Sequence, residues 1–255
     1  MSKSGFSVRG AGRLLAVAGL LGWAVFVYVL DWRNRRDATS KARWLQRTCR
    51  RLLGVFAVSV ASRGRPASGA VIVSNHLSYL DILVVASLAP VVFVSKKEVR
   101  SWPVFGWFAE KAGTRFIDRN KRGDVARIAE EIGPVIAERL NIVIFLEGTS
   151  SDGRDVLPFK ASLLEPAVRH GWPVVPAALH YAVPSGRSAE QEVCWWGGMT
   201  LGPHLLNLTT LPWVKADVAW GEAVTAGGDR KVLAAALRGQ VVALKAERAA
   251  AVANS

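Results

Sequence analysis

Cysteine is scarce in this sequence, and so are the short motifs that announce most enzyme chemistries. Only Cys49 and Cys194 occur, far apart and without metal-ligand spacing. That argues against a disulfide framework, fits a reducing compartment and leaves both as ordinary structural thiols. No Gly-x-Ser-x-Gly elbow is present, which speaks against a serine hydrolase with a covalent acyl-enzyme. Neither a Walker loop nor a Gly-x-Gly-x-x-Gly fingerprint appears, so nucleotide hydrolysis and dinucleotide redox chemistry find no support. Of the four histidines, His170, His180 and His204 read as structural, and no ligand spacing suggests a metal or other cofactor. Acidic residues are also few. Twenty Asp and Glu stand against 33 Lys and Arg, a formal charge of +13, which favours an anionic partner. No nucleic-acid motif accompanies that charge, so the favoured partner is a lipid surface or an anionic substrate rather than nucleic acid.

Apolar residues and tryptophan are abundant. Hydrophobic residues make up 51% of the 255, and ten are tryptophan, a residue suited to the polar edge of a membrane. Leu14 to Leu30 carries no charge and sits near the lower limit for a helix that crosses a bilayer. It runs into Asp31-Trp32-Arg33-Asn34-Arg35-Arg36 without a small-x-small cleavage site, so a retained membrane helix is expected rather than a signal peptide. Lys41, Arg43, Arg47, Arg50 and Arg51 extend the basic flank, and the positive-inside rule places the chain beyond Leu30 on the cytoplasmic side of the cell inner membrane. A second apolar stretch, Leu52 to Ala61, is too short to span and is expected to dip into one leaflet. Whether the first helix spans or dips is left open by the residues. Residues 1–62 are thus read as a membrane anchor with a basic helical segment, and 63–255 as the globular domain.

In that domain Ala70–Ser74, Val91–Ser95, Ile142–Leu146, Pro173–Leu179, Glu192–Trp196 and Val214–Trp220 read as strands. Asp81–Leu88, Asp124–Leu140 (with Pro134 inside) and the alanine-rich Arg230–Ala251 read as helices. The alternation predicts an α/β fold, with a largely parallel or mixed sheet flanked by helices behind the N-terminal membrane-associated segment.

Chemistry concentrates in Asn75-His76-Leu77-Ser78-Tyr79-Leu80-Asp81, at the junction of an expected strand and helix. A histidine can take a proton from an attacking hydroxyl, and a carboxylate on its far nitrogen sets the tautomer. On one continuous helix, residues five apart diverge, so the pair requires His76 in the turn and Asp81 in the first helical turn. Asn75 and Ser78 suit capping or bracing of that turn.

These residues resemble the Asn-His-x-Ser-x-x-Asp block of the glycerolipid acyltransferase family that includes 1-acyl-glycerol-3-phosphate acyltransferases. Gly113-Thr114-Arg115-Phe116-Ile117-Asp118-Arg119 resembles the family's second block, Phe145-Leu146-Glu147-Gly148-Thr149 the third and Val174-Val175-Pro176-Ala177 the fourth. The resemblance covers roughly residues 70–185, in the family's order. It implies transfer of a fatty acyl group from acyl-CoA or acyl carrier protein, used as co-substrate, to the free hydroxyl of a lysolipid. His76 would be the base and Asp81 its orienting carboxylate. Asn75, Ser78, Arg115, Arg119, Glu147, Gly148 and Thr149 would bind substrate. The third block departs from the family pattern: Leu146 replaces a proline and Ser150 an arginine, with Arg154 or Lys160 available to compensate. The default acceptor is 1-acyl-glycerol-3-phosphate, giving phosphatidic acid. The lost arginine equally admits another headgroup, such as that of lyso-ornithine lipid, and this stretch, with Trp195-Trp196-Gly197-Gly198-Met199-Thr200 and Pro203-His204, resembles a bacterial branch of the family that contains both activities. A non-catalytic membrane lipid-binding module is the alternative from another class.

Overall fold

A computed structural model describes residues 8–118, 121 and 123–253. The chain opens with α1 (Val8–Leu30) and α2 (Ala38–Val55), then β1 (Val58–Arg63), β2 (Val71–Ser74), α3 (Leu80–Leu88) and β3 (Val91–Lys96). Next come α4 (Phe105–Lys111), β4 (Arg115–Ile117), α5 (Asp124–Ala137), β5 (Asn141–Ile144), α6 (Glu165–His170) and β6 (Pro173–Ala182). The chain closes with α7 (Ala189–Glu192), α8 (Leu201–Thr210), β7 (Val214–Trp220), β8 (Val224–Thr225) and α9 (Arg230–Ala253).

The strands form one mixed sheet in the order β1-β7-β6-β2-β5-β3-β4, with β8 beside β6. β6, β2, β5, β3 and β4 run parallel, while β7 runs antiparallel to β6 and parallel to β1. The continuous apolar runs mark strands covered on both faces: every residue of β2 and β5 is buried. One face packs Leu80, Val84 and Leu208 with Trp44, Leu45 and Leu52 of α2. The other packs Ile128, Ile132, Leu164 and Leu237. Truncating a fully buried residue such as Ile72 or Ile142 to alanine costs about 2–5 kcal/mol.

The N-terminal third departs from the sequence expectation. Leu52, Leu53, Phe56 and Val58 are all buried in the core, so the second apolar stretch does not dip into a leaflet. It finishes an amphipathic helix and enters an edge strand, with Val58–Arg63 in register with Val214–Ala219. The buried positions Ala42, Leu45, Cys49 and Leu52 recur at helical spacing, with the arginines on the remaining face. The α/β fold therefore begins before residue 63. Glu192–Trp196 is also not a strand: it ends the short α7 and continues as a loop. Its aromatic residues are held by side-chain bonds instead, Trp195 Nε1 donating to the Met199 carbonyl and Trp196 Nε1 to the Glu190 carbonyl.

α1 is long and apolar enough to cross a membrane, and 11% of its most apolar window is buried. Both of its halves are nevertheless tied to the rest of the molecule. Arg13 donates to the carbonyls of Thr209, Leu211 and Pro212. Farther along, Trp44 Nε1 donates to the Ala24 carbonyl (3.2 Å) and the Tyr28 ring lies 4.8 Å from that of Trp44.

Candidate active site

β2, β5, β3 and β4 are parallel neighbours, so the loops leaving their C-terminal ends gather on one edge of the sheet, the usual ligand position in α/β folds. The β2 loop carries His76. Residues 75–78 are irregular, α3 begins at Leu80, and Asp81 lies in its first turn. The turn thus brings together two side chains that a continuous helix would separate.

His76 Nδ1 lies 2.7 Å from Asp81 Oδ2. The same oxygen accepts the backbone N–H groups of Leu77 (2.6 Å) and Ser78 (3.0 Å). Asp81 Oδ1 accepts the Tyr181 hydroxyl at 2.7 Å. The carboxylate side chain is 0% exposed, while the imidazole remains 19% exposed. A carboxyl group that accepts from Nδ1 fixes the Nδ1–H tautomer and leaves Nε2 as the nitrogen able to accept a proton. Phe145 stacks on the imidazole, with ring centres 4.0 Å apart and planes 14° from parallel, and so limits its rotation.

Two neighbours that sequence reasoning assigned to substrate are buried. Asn75 is 1% exposed, donates to the Leu179 carbonyl (3.0 Å) and accepts the Leu179 N–H (2.8 Å), clamping the turn to β6. Ser78 is 0% exposed and its hydroxyl has no hydrogen-bond partner among the described residues, so the structure shows no side-chain cap there. The turn is held from above by Ser151 N–H donating to the His76 carbonyl (2.9 Å) and by Trp195 N–H donating to the Leu77 carbonyl (2.8 Å).

Glu147 follows β5 and is 3% exposed. One oxygen accepts the Leu157 N–H at 3.3 Å, and Oε2 has no hydrogen-bond partner among the described residues. Burial pushes its acid up to about 8; the amides of His76 and Leu157 offset part of that, and the negative Asp81 adds to it. Gly148 takes a left-handed conformation (φ +78°), which glycine adopts without side-chain strain, and its N–H donates to the Phe145 carbonyl at 3.2 Å. Thr149 is exposed at the rim of this turn. Ser150, standing where the family pattern has arginine, donates its hydroxyl to the Trp195 carbonyl and ties two loops together.

Beyond β3 and β4 lies an open cleft of about 480 Å³, lined by Lys97, Arg100, Arg115, Lys121 and Arg127 and by Glu110, Asp118, Asp124 and Glu131. Four of its five cations are paired. Lys97 meets Asp118 at 2.7 Å, Arg100 meets Glu110 at 3.1 Å, and Arg127 meets Asp124 at 2.8 Å and also Glu131. Arg115 lies 3.5 Å from Glu131 and donates to the Gly113 carbonyl at 3.1 Å. The hydrogen bonds from Arg127 hold the Asp124 carboxyl down to about 2. Arg119 lies outside the described residues. Lys160 and Arg154 do not join this cleft: Lys160 lines a second one of about 560 Å³ with Lys121, Arg169 and Arg230, and Arg154 bridges Asp152 and Glu190.

Tyr181 was missed in the sequence because it lies 100 residues from Asp81, and only the pairing of β6 with β2 brings it near. His204 was read as structural and is 6% exposed. It bonds the Tyr79 hydroxyl and the Cys194 carbonyl, each at 3.0 Å, and burial lowers its basicity.

Comparison with known proteins identifies the family. A model of the acyltransferase family matches residues 56–180. A lyso-ornithine lipid O-acyltransferase from Brucella abortus is 36% identical over 226 residues, covering 84% of this chain and 82% of its own. A 1-acyl-sn-glycerol-3-phosphate acyltransferase from Neisseria gonorrhoeae is 38% identical over 145 residues, covering 52% of this chain and 57% of its own. The crystal structure of PlsC, the 1-acyl-sn-glycerophosphate acyltransferase of Thermotoga maritima, superposes with a TM-score of 0.62 at 20% identity, over 94% of this chain and 98% of that one, a likeness of fold. The chain belongs to the acyltransferase family that holds the lyso-ornithine lipid and 1-acyl-sn-glycerol-3-phosphate acyltransferases, and is a lysolipid acyltransferase.

Proposed function

We propose that His76 is the general base of a direct acyl transfer and that the acceptor is a lyso-ornithine lipid. The acceptor hydroxyl gives its proton to His76 Nε2 as its oxygen attacks the thioester carbonyl of acyl-CoA or acyl carrier protein. Asp81, held by Tyr181 and two backbone amides, steadies the imidazolium. Collapse of the tetrahedral intermediate expels the thiolate, which takes the proton from His76. No covalent acyl-enzyme is required. Glu147, protonated over much of the neutral range, has a hydrogen to offer the acceptor or the developing oxyanion.

The observation that carries the acceptor assignment is the mixed charge of the cleft beyond β4, where five cations face four carboxylates. A phosphate dianion there meets repulsion from each acid, whereas an ornithine headgroup carries both a carboxylate and an ammonium and finds partners of each sign. The lyso-ornithine lipid relatives also match over more of the chain than the glycerophosphate ones. The serine at position 150 removes one more cation from a phosphate site. A second reading, 1-acyl-glycerol-3-phosphate as acceptor, draws on Arg115, whose fork suits phosphate once Glu131 is displaced.

The same proposal places the enzyme at a membrane. α1 exposes Leu15, Trp23, Phe26, Val29 and Leu30, a set suited to lipid. Because both of its halves are tied to the catalytic fold, we read it as lying along one leaflet of the inner membrane, with the active site on the cytoplasmic side.

The test supplies purified protein in lipid nanodiscs with labelled acyl-CoA and acyl carrier protein, together with lyso-ornithine lipid and 1-acyl-glycerol-3-phosphate. Transfer to lyso-ornithine lipid by the wild type, lost in His76→Ala, is the expected result. Transfer to the glycerophosphate alone overturns the acceptor and keeps the mechanism. Full activity in His76→Ala overturns the mechanism. No transfer by folded wild type to any acceptor favours a non-catalytic lipid-binding module.

A further inference from the structure

Between β3 and α4 the chain makes a turn whose apolar residues face outward. Val104 is 54% exposed, Phe105 40% and Trp107 37%. This turn is rigidly built. Phe105 N–H donates to the Pro103 carbonyl (2.7 Å), Gly106 N–H to the Trp102 carbonyl (2.9 Å) and Phe108 N–H to the Val104 carbonyl (3.0 Å). A Cβ on Gly106 would stand 2.1 Å from the Arg100 carbonyl oxygen, so only glycine lets α4 fold back this closely. Val104 itself sits at φ +65° and ψ −59°, the centre of a γ-turn closed by that Phe105 bond, a rare conformation that a β-branched residue resists. A strained valine at the tip of a well-braced turn, pointing at water, is poorly explained by folding alone.

Its two shoulders show where it belongs. On one side Trp107 meets Tyr28 of α1 edge-on at 5.9 Å, and Phe108 stacks on Trp44 at 5.7 Å. The tip is therefore continuous with the end of α1 that exposes Phe26, Val29 and Leu30. On the other side Trp102 meets Trp195 edge-on at 5.7 Å, and the Trp195 N–H holds the Leu77 carbonyl, one residue from His76. Two cations flank the apolar tip, Arg100 on its approach and Lys111, whose ammonium lies 5.9 Å from the Trp107 ring centre; both share the single carboxylate of Glu110, which leaves the group a net positive charge. Apolar side chains beside lysine and arginine match a leaflet with anionic headgroups.

We propose that Trp102–Trp107 is a second membrane-contacting element, entering the same leaflet as α1 and guiding the lysolipid from the bilayer to His76. It rests on the reading of α1 as a membrane helix, and the experiment separates the two. Cys49 and Cys194 are buried, so single cysteines introduced as Val104→Cys, Phe26→Cys and Arg169→Cys take an environment-sensitive fluorophore selectively. With vesicles of phosphatidylethanolamine and phosphatidylglycerol, labels at 104 and 26 are expected to shift to the blue and to be quenched by brominated lipid. The label at the exposed Arg169 position is expected to stay in water. A label at 26 in lipid with one at 104 in water overturns the proposal alone; both in water overturns the membrane reading of α1 as well.

Two substitutions extend the test. Val104→Asp is expected to weaken vesicle partition about tenfold. Val104→Gly, which relieves the positive-φ backbone and so folds at least as well, is expected to weaken it less, in the same direction. Val104→Asp is also expected to raise KM for a long-chain lysolipid in the bilayer and to leave KM for a water-soluble short-chain acceptor in place. Equal losses for both acceptors would make the turn a purely structural element and overturn its guiding role.

Discussion

At the end of β2 one carboxylate, Asp81, is fully buried with both oxygens engaged by four donors, whereas beyond β4 four carboxylates face five cations across open water. The groups are alike and the physics differs. Burial removes competition from solvent, so each hydrogen bond at the His76 corner sets a geometry, and losing one leaves a polar group unpaired. In the cleft, side chains such as Arg100 and Arg127 (64% and 44% exposed) pair in high dielectric, and each contact is weak and exchangeable. Such an arrangement suits a corner that performs chemistry and a cleft that swaps internal partners for a ligand.

The largest effect is expected from Asp81→Asn. The amide presents one acceptor where the carboxylate presents two, and it places an NH₂ against N–H and O–H donors. kcat is expected to fall about 10³–10⁴-fold, measured by acyl transfer at saturating acceptor. Tyr181→Phe sharpens the comparison by deleting a single contact. About a tenfold loss at neutral pH is expected. With the Tyr181 hydroxyl gone, Asp81 Oδ1 loses its donor and the pair is held less firmly, so the loss is expected in kcat with the acceptor KM unchanged. Unchanged kcat would make Tyr181 a packing residue only.

Glu147→Gln tests burial through stability. The folded carboxyl titrates near 8, against about 4.3 in an unfolded chain. Its neutral form therefore favours folding below the unfolded value, and that stability is lost as pH rises through 8. Glutamine does not ionise, so the variant is expected to melt about 5 °C above wild type at pH 8.5 and alongside it at pH 4. Parallel melting curves across this range would remove the buried acid from the account. Arg115→Gln carries the smallest effect, about a threefold to fivefold rise in acceptor KM with kcat unchanged, because its guanidinium is already shared with Glu131 and the Gly113 carbonyl. A loss of a hundredfold would mean a dianionic headgroup sits directly on it.

Legibility followed the same division. The buried strands β2, β3, β5, β6 and β7 were visible as apolar runs, because strands covered on both faces need them. Short strands at the margins, β4 and β8, left too few residues for a pattern. Leu52 to Ala61 was misread as lipid-facing because apolarity alone does not distinguish a protein interior from a bilayer. Asn75 was visible as a residue that braces the turn, but its partner Leu179, 104 residues away, was not.

What the sequence by itself determined was local. His76 and Asp81 meet because one turn separates a strand from a helix, and a few residues of chain suffice to encode that. The tertiary structure alone decided which groups surround the pair. Tyr181 reaches Asp81, Trp195 reaches Leu77 and Trp107 reaches Tyr28 only after the sheet has set its strand order and the helices have packed on it. Contacts across such separations depend on the summed burial of two cores, a quantity that no short stretch of sequence contains.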